Sequence, residues 1–143
     1  MTFTWNYKAK FADEFARLLP EQQNKVFDFT DIYEAHGLSD FSRYPGKVTP
    51  SWKGLDSSDP AYSFTYTNCL WHYHVGLPSY KTAFHGKYLT SDWVLHFQWK
   101  DWQVQASHIS LVDLYQHLTW NGKFWLPKPE YVADDPPEGA QQP

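Results

Sequence analysis

Cysteine is nearly absent from this chain. Cys69 is the single example among 143 residues, so no internal disulfide can form. Its apolar flank, Leu70-Trp71, reads as the setting of a small buried hydrophobe rather than a nucleophile. Long apolar runs are missing as well: no stretch of 18 apolar residues occurs, which excludes a spanning helix. The opening Met1-Thr2-Phe3-Thr4-Trp5-Asn6-Tyr7-Lys8 lacks the basic-then-apolar order of a signal peptide. These absences predict a reducing, cytoplasmic setting and no membrane partner. Arginine is scarce, with Arg17 and Arg43 alone, and the net charge of −4 argues against a generic nucleic-acid binder.

What the chain does have is aromatic surface. Phe, Trp and Tyr make up 20% of it, with eight Trp, more than a core of this size requires. Some rings are therefore expected to anchor a partner or stack on a base; the competing reading is an aromatic-heavy core. Charge is also unevenly spread. Residues 1–40 hold seven acids against four bases, a net of −3, and residues 124–143 hold four acids against one base, again −3. The middle, 41–123, has seven bases against five acids, a net of +2, and carries six of the seven histidines. A polyanion would bind there.

The length fits one domain. Residues 2–6 read as a short first strand. Phe11, Phe15, Leu18 and Leu19 fall at helical spacing over about 9–19, and Pro20 suits the first turn of a second helix whose apolar stripe is Val26, Phe29, Ile32 and Tyr33. Gly37 after His36 is a stop, so the two helices should fold back as a hairpin. Residues 39–60 read as a long loop carrying Arg43, Lys47 and Lys53. Alternation of Tyr62, Phe64 and Tyr66 with Ser63, Thr65 and Thr67 predicts a strand, turned at Asn68 into a partner over 69–75. In that partner Leu70, His72 and His74 share one face, opposite Cys69, Trp71, Tyr73 and Val75. A loop with Lys81, His85 and Lys87 leads to a strand over 93–99, with His96 opposite Trp93, Leu95, Phe97 and Trp99. Two further elements, 103–111 with His108 and 112–118 with Asp113, Tyr115 and His117, complete an antiparallel sheet. The domain is placed at 1–126; the Pro-rich acidic segment 127–143 is predicted to be disordered or a docking tail.

The stretch Phe11-Ala12-Asp13-Glu14-Phe15-Ala16-Arg17-Leu18-Leu19-Pro20-Glu21-Gln22-Gln23-Asn24-Lys25-Val26 resembles the helical hairpin of the RelE/ParE superfamily of bacterial toxins. Leu70-Trp71-His72-Tyr73-His74-Val75-Gly76 resembles that family's central strand, except that histidines stand where the family usually has arginines. The likeness is one of element order and texture over about residues 2–117. It implies an α+β fold in which an N-terminal strand and two-helix hairpin pack on a small antiparallel sheet. It further implies a ribosome-associated mRNA endonuclease, the toxin of a type II toxin–antitoxin system, with mRNA on the ribosome and a cognate antitoxin as partners and no cofactor.

Metal-free RNA cleavage needs a base for the 2′-hydroxyl, a cation for the phosphorane and an acid for the leaving oxygen, and histidine suits both proton-transfer roles. His72 and His74 are the first catalytic candidates, followed by His117, Tyr115 and His96; His108 could join them if the register allows. Lys47, Lys53, Lys81, Lys87 and Arg43 are candidates for phosphate contacts, and Trp71 for stacking a base. The plainer reading makes His72 and His74 polar residues on a solvated face, His96 a near-core residue and the lysines solvated charge. Two other classes compete. The His72-Tyr73-His74 pair, completed by His96 or His108, could hold a metal, although no acidic ligand stands close by in sequence. A non-catalytic relative directed at gyrase or acting as an adaptor would instead use the aromatic surface and acidic tail for docking.

Overall fold

The computed structural model describes residues 2–82, 89–118 and 123–134; side chains at 81, 82 and 89 are not described. The chain is α+β, with a five-stranded sheet and an N-terminal helical hairpin. Strand β1 (Thr4–Tyr7) leads into α1 (Ala9–Phe15) and α2 (Pro20–His36). Pro20 opens α2 at a position where its missing N–H costs nothing, and the Gln22 side chain accepts a bond from the Leu19 N–H at 2.9 Å. Gly37 closes the helix at φ 66°, its N–H donating to the Tyr33 carbonyl, and an added Cβ there would collide with the Phe3 ring.

The segment expected as a strand over 62–67 is instead helix α3 (Pro60–Thr67). Two local signals outweigh the aromatic alternation. The Asp59 carboxylate accepts from the Ala61 N–H at 2.9 Å, and Pro60 occupies the first turn. Tyr62 and Tyr66 are four residues apart, so in a helix they fall on one face and stack, with ring centroids 5.8 Å apart. Asn68 is then a helix C-cap rather than a hairpin turn.

The main sheet has the order β1-β7-β6-β3-β2, from β2 (Val48–Pro50), β3 (Leu70–His74), β6 (Trp93–Gln98) and β7 (His108–Gln116). Strands β4 (Lys81–Thr82) and β5 (Leu89–Thr90) pair separately. The sheet is mixed rather than antiparallel. Strand β1 runs parallel to β7, from Thr4 opposite His108 to Tyr7 opposite Leu111, because the helical hairpin carries the chain away before the other strands form. The loop expected over 39–60 contributes edge strand β2, and the two elements expected over 103–118 are one long strand preceded by a 3₁₀ turn at Trp102–Val104.

One face of the sheet receives the hairpin. Phe11, Val26, Phe29 and Tyr33 from the helices meet Tyr73, Val75, Leu95, Phe97, Ile109 and Leu111. Phe29 lies between Tyr44, Tyr73 and Phe97 at centroid distances of 5.5, 5.0 and 5.3 Å. A smaller cluster on the other face joins Leu70 and Val112 to Val132. Val132 belongs to α4 (Pro129–Val132), in the segment expected as a disordered or docking tail from 127 onward. That segment packs on the domain as far as Asp134, with Tyr131 donating to Glu14 and Asp134 bonded to Lys100 at 2.8 Å. Residues 135–143 lie outside the described residues. Among the described residues no helix is long and apolar enough to cross a membrane.

Candidate metal and catalytic site

The site lies on the sheet face opposite the hairpin, and strand parity builds half of it. In β3, Trp71 and Tyr73 enter the hairpin core, so His72 and His74 must face the other way. Pairing of β3 with β6 sets His72 directly opposite His96, and Tyr73 opposite Leu95. Pairing of β2 with β3 adds Thr49 opposite His72, and pairing of β6 with β7 adds Asp113 opposite His96. Thr49, His72, His96 and Asp113 thus form one row across four strands.

A register shift supplies the other half. The ladder between β6 and β7 slips between His96 and Phe97, so Phe97 pairs with Leu111 while His96 pairs with Asp113. Without that extra residue, Ile109, Leu111, Asp113, Tyr115 and His117 would all point to one face. The bulge sends Ile109 and Leu111 into the hairpin core and turns Asp113, Tyr115 and His117 to the histidine face.

Four imidazoles consequently line one cavity of about 400 Å³, a size suited to a small ligand. The rings of His72 and His74 lie 5.5 Å apart, those of His72 and His117 4.9 Å, those of His74 and His117 5.0 Å, and those of His72 and His96 5.6 Å. One donor nitrogen from each of His72, His74 and His117 can be chosen so that all three lie within 4.8 Å of one another. His72 Nδ1 is 2.8 Å from Ser51 Oγ. His74 Nδ1 is 2.9 Å from the Ser91 carbonyl oxygen and 3.1 Å from the Ser91 amide nitrogen. Donation to the carbonyl leaves the lone pair on Nε2. His117 Nδ1 is buried and meets no hydrogen-bond partner among the described residues.

These three rings are held neutral. Burial depresses His72 well below the usual histidine value, and the neighbouring imidazoles add to the effect. Burial likewise lowers His74, partly offset by its bond to Ser91, and brings His117 down to about 4. The Lys47 ammonium is among the charges opposing protonation of all three. His96 has a different environment: its Nδ1 meets Asp113 Oδ1 at 2.8 Å in the interior, and Asp113 Oδ2 accepts from Trp125 Nε1 at 2.8 Å. A buried carboxylate with both oxygens engaged is satisfied, and it fixes the ring it bonds.

The other residues singled out from sequence are distributed as follows. Lys47 and Lys53 line the cavity beside the histidines. Tyr115 shares their face but packs on Trp93 and Trp125, at 5.8 and 4.4 Å, outside the lining. Arg43 is exposed, 3.9 Å from Asp40, and away from the cavity. Trp71 is on the opposite face, buried against Phe97 and Trp99, which removes it from base stacking at this site. Lys81 is in β4, its side chain outside the described residues, as is Lys87 altogether. His108 lies at the β1 edge, with Nδ1 2.8 Å from Thr4 Oγ1 and Nε2 2.8 Å from Asn6 Oδ1, and does not join the cluster. His36 ends α2.

Sequence reasoning passed over Asp113 as a site residue, along with Ser51, Ser91, Phe124 and Trp125. Asp113 did carry a signal: a lone acid in the apolar run Leu111-Val112-Asp113-Leu114 must find a buried partner. Compared with known proteins, the chain matches no protein-family model, no curated protein and no solved structure.

Proposed function

We propose that this chain is a metal-dependent hydrolytic enzyme whose centre is a divalent transition-metal ion held by His72, His74 and His117. The observation that carries this reading is the convergence of three neutral imidazole donors within 4.8 Å at an open cavity. Unprotonated nitrogen is what a metal requires, and three such donors with a fourth position open to ligand is the pattern of catalytic rather than structural zinc. Nitrogen donors favour zinc, nickel, iron or copper over magnesium or calcium. Zinc–nitrogen bonds of about 2.0–2.1 Å in tetrahedral geometry call for donors about 3.3 Å apart. His117, the residue after the last of β7, can supply the closure. Ser51 and Ser91 serve as outer partners that fix the tautomers of His72 and His74. A bound ion would supply an acidified water. His96, oriented by Asp113, is the group beside it suited to accept a proton.

The test is metal analysis of purified protein, followed by cobalt titration of the chelated form. About one ion per chain is expected, lost in His72→Ala/His74→Ala. A folded wild-type chain that neither retains nor binds zinc, cobalt, nickel or iron at micromolar concentration ends this reading.

A second reading is favoured by the Asp113–His96 pair and by Lys47 and Lys53 in the same cavity. In it the site cleaves RNA without metal, as a RelE-like mRNA endonuclease checked by an antitoxin. His96 and a neighbouring imidazole would then move protons, and the lysines would steady the phosphate. Its difficulty is chemical: His72, His74 and His117 are poor acids when burial holds them neutral. Translation-dependent transcript cleavage that persists in excess chelator would select it.

A further inference from the structure

The core does not absorb all of the aromatic surface. On the hairpin side of the sheet Trp52 and Trp71 are buried, but rings packed on them reach solvent. Trp52 meets Tyr66 at 5.2 Å and Trp102 at 5.3 Å, while Trp71 meets Phe41 at 5.8 Å and Trp102 at 6.0 Å. Tyr66 is 45% exposed, and Val104, in the turn that holds Trp102, is 78% exposed. None of these side chains is among the described residues lining the histidine cavity. Rings braced against one another form a rigid platform before anything binds it. Large apolar side chains exposed side by side mark a contact surface.

The path of the chain brings an occupant to that surface. Val132 and Asp134 line a second cavity, of about 520 Å³, together with Thr67, Lys100 and Asp101. Thr67 directly follows Tyr66, and Asp101 directly precedes Trp102. The described chain therefore ends beside the platform's edge. It is anchored there, with Asp134 bonded to Lys100 at 2.8 Å and Tyr131 donating to Glu14. Nine residues follow, Asp135-Pro136-Pro137-Glu138-Gly139-Ala140-Gln141-Gln142-Pro143. Proline has its φ fixed and lacks the N–H that a helix or sheet would use, which suits it to the polyproline form. In that form nine residues reach about 28 Å, ample for a platform of neighbouring rings. Proline-rich segments dock in aromatic-lined grooves because their pre-set backbone loses little entropy on binding. A site so near on the same chain meets the segment at an effective concentration on the order of millimolar, an advantage a second molecule lacks.

We propose that residues 135–143 fold back over this platform, with Pro136 and Pro137 seated on the rings of Tyr66 and Trp102. The aromatic surface is then a docking site for a proline-rich segment, and its resident occupant is the chain's own C-terminal one. This inference is independent of the metal reading.

NMR of the full chain tests it. Proline protons lying on an aromatic face are shifted upfield by the ring current. Pro136 and Pro137 are expected to show such shifts, with nuclear Overhauser contacts to ring protons of Tyr66 and Trp102. Tyr66→Ser should cut the upfield shifts by at least half. Pro136→Ala/Pro137→Ala should move the indole signal of Trp102 and leave those of Trp5 and Trp93 in place. Unshifted prolines without those contacts overturn the proposal. Contacts that arise only between chains, in a mixture of isotope-labelled and unlabelled protein, make a second copy the occupant and overturn it too. So does an added hexaproline peptide that binds Tyr66 and Trp102 as tightly in wild type as in Pro136→Ala/Pro137→Ala, since the tail then does not hold the site.

Discussion

Acidifying the metal-free protein tests the histidine cluster before any ligand is known. His117 sits at about 4 in the folded chain, against an ordinary value of 6.5, because burial disfavours its charged form. Between those two values the unfolded chain binds a proton that the native chain refuses, so stability must fall as the pH drops through that window. Above pH 6.5 both states are neutral at this position and the group is indifferent. The displacement corresponds to about 3.4 kcal/mol once the pH is below both values. Because the ring is partly open to the cavity, solvent screening reduces this, and about 1–2 kcal/mol is expected at pH 5. His72 and His74 are displaced in the same direction and steepen the loss. Urea unfolding of chelated protein between pH 7.5 and 5 measures it, with His117→Gln as the comparison. The substituted chain should lose clearly less stability than wild type over that interval, since carboxylate titrations are common to both. Equal slopes, or a wild-type slope that is flat toward pH 5, would show that His117 is not buried as a neutral ring.

Other consequences are separable. Zinc added to chelated wild type should raise the thermal midpoint, by an amount growing with free zinc, and His72→Ala should abolish the rise. Asp113→Ala leaves His96 Nδ1 and Trp125 Nε1 without their acceptor and should cost about 2–4 kcal/mol in chemical denaturation while zinc binding persists; loss of zinc would make Asp113 part of the metal's own support. Phe29→Ala, amid the rings of Tyr33, Tyr44, Tyr73 and Phe97, should cost about 3–5 kcal/mol by the same assay. Asp59→Ala should cost about 1 kcal/mol through loss of the α3 cap, an effect that a strand over 62–67 would not show.

How much of this was legible in sequence varies by element and for physical reasons. The helical hairpin was readable because Pro20, the Val26–Tyr33 stripe and Gly37 are local signals that agree with one another. The face shared by His72 and His74 was readable because parity along a strand is a local property. Helix α3 was misread because three aromatics at alternate positions mimic a strand, while the deciding groups, Asp59 and Pro60, lie just before the pattern begins. Trp71 was misassigned for a related reason: a ring's chemistry is the same in a core and at a binding surface, and only packing against Phe97, Trp99 and the hairpin side distinguishes them.

By itself the sequence determined an α+β chain with one hairpin of helices, no disulfide, and a histidine-rich middle segment, since composition and short-range periodicity suffice for each. Only the tertiary structure decided that β1 lies parallel to β7, that His96 faces both His72 and Asp113, and that His117 turns toward His74 while His108 does not. The reason is that pairing partners are chosen across dozens of intervening residues, and one bulge after His96 reverses the face of everything beyond it on β7. No local pattern in the chain records where that slip occurs.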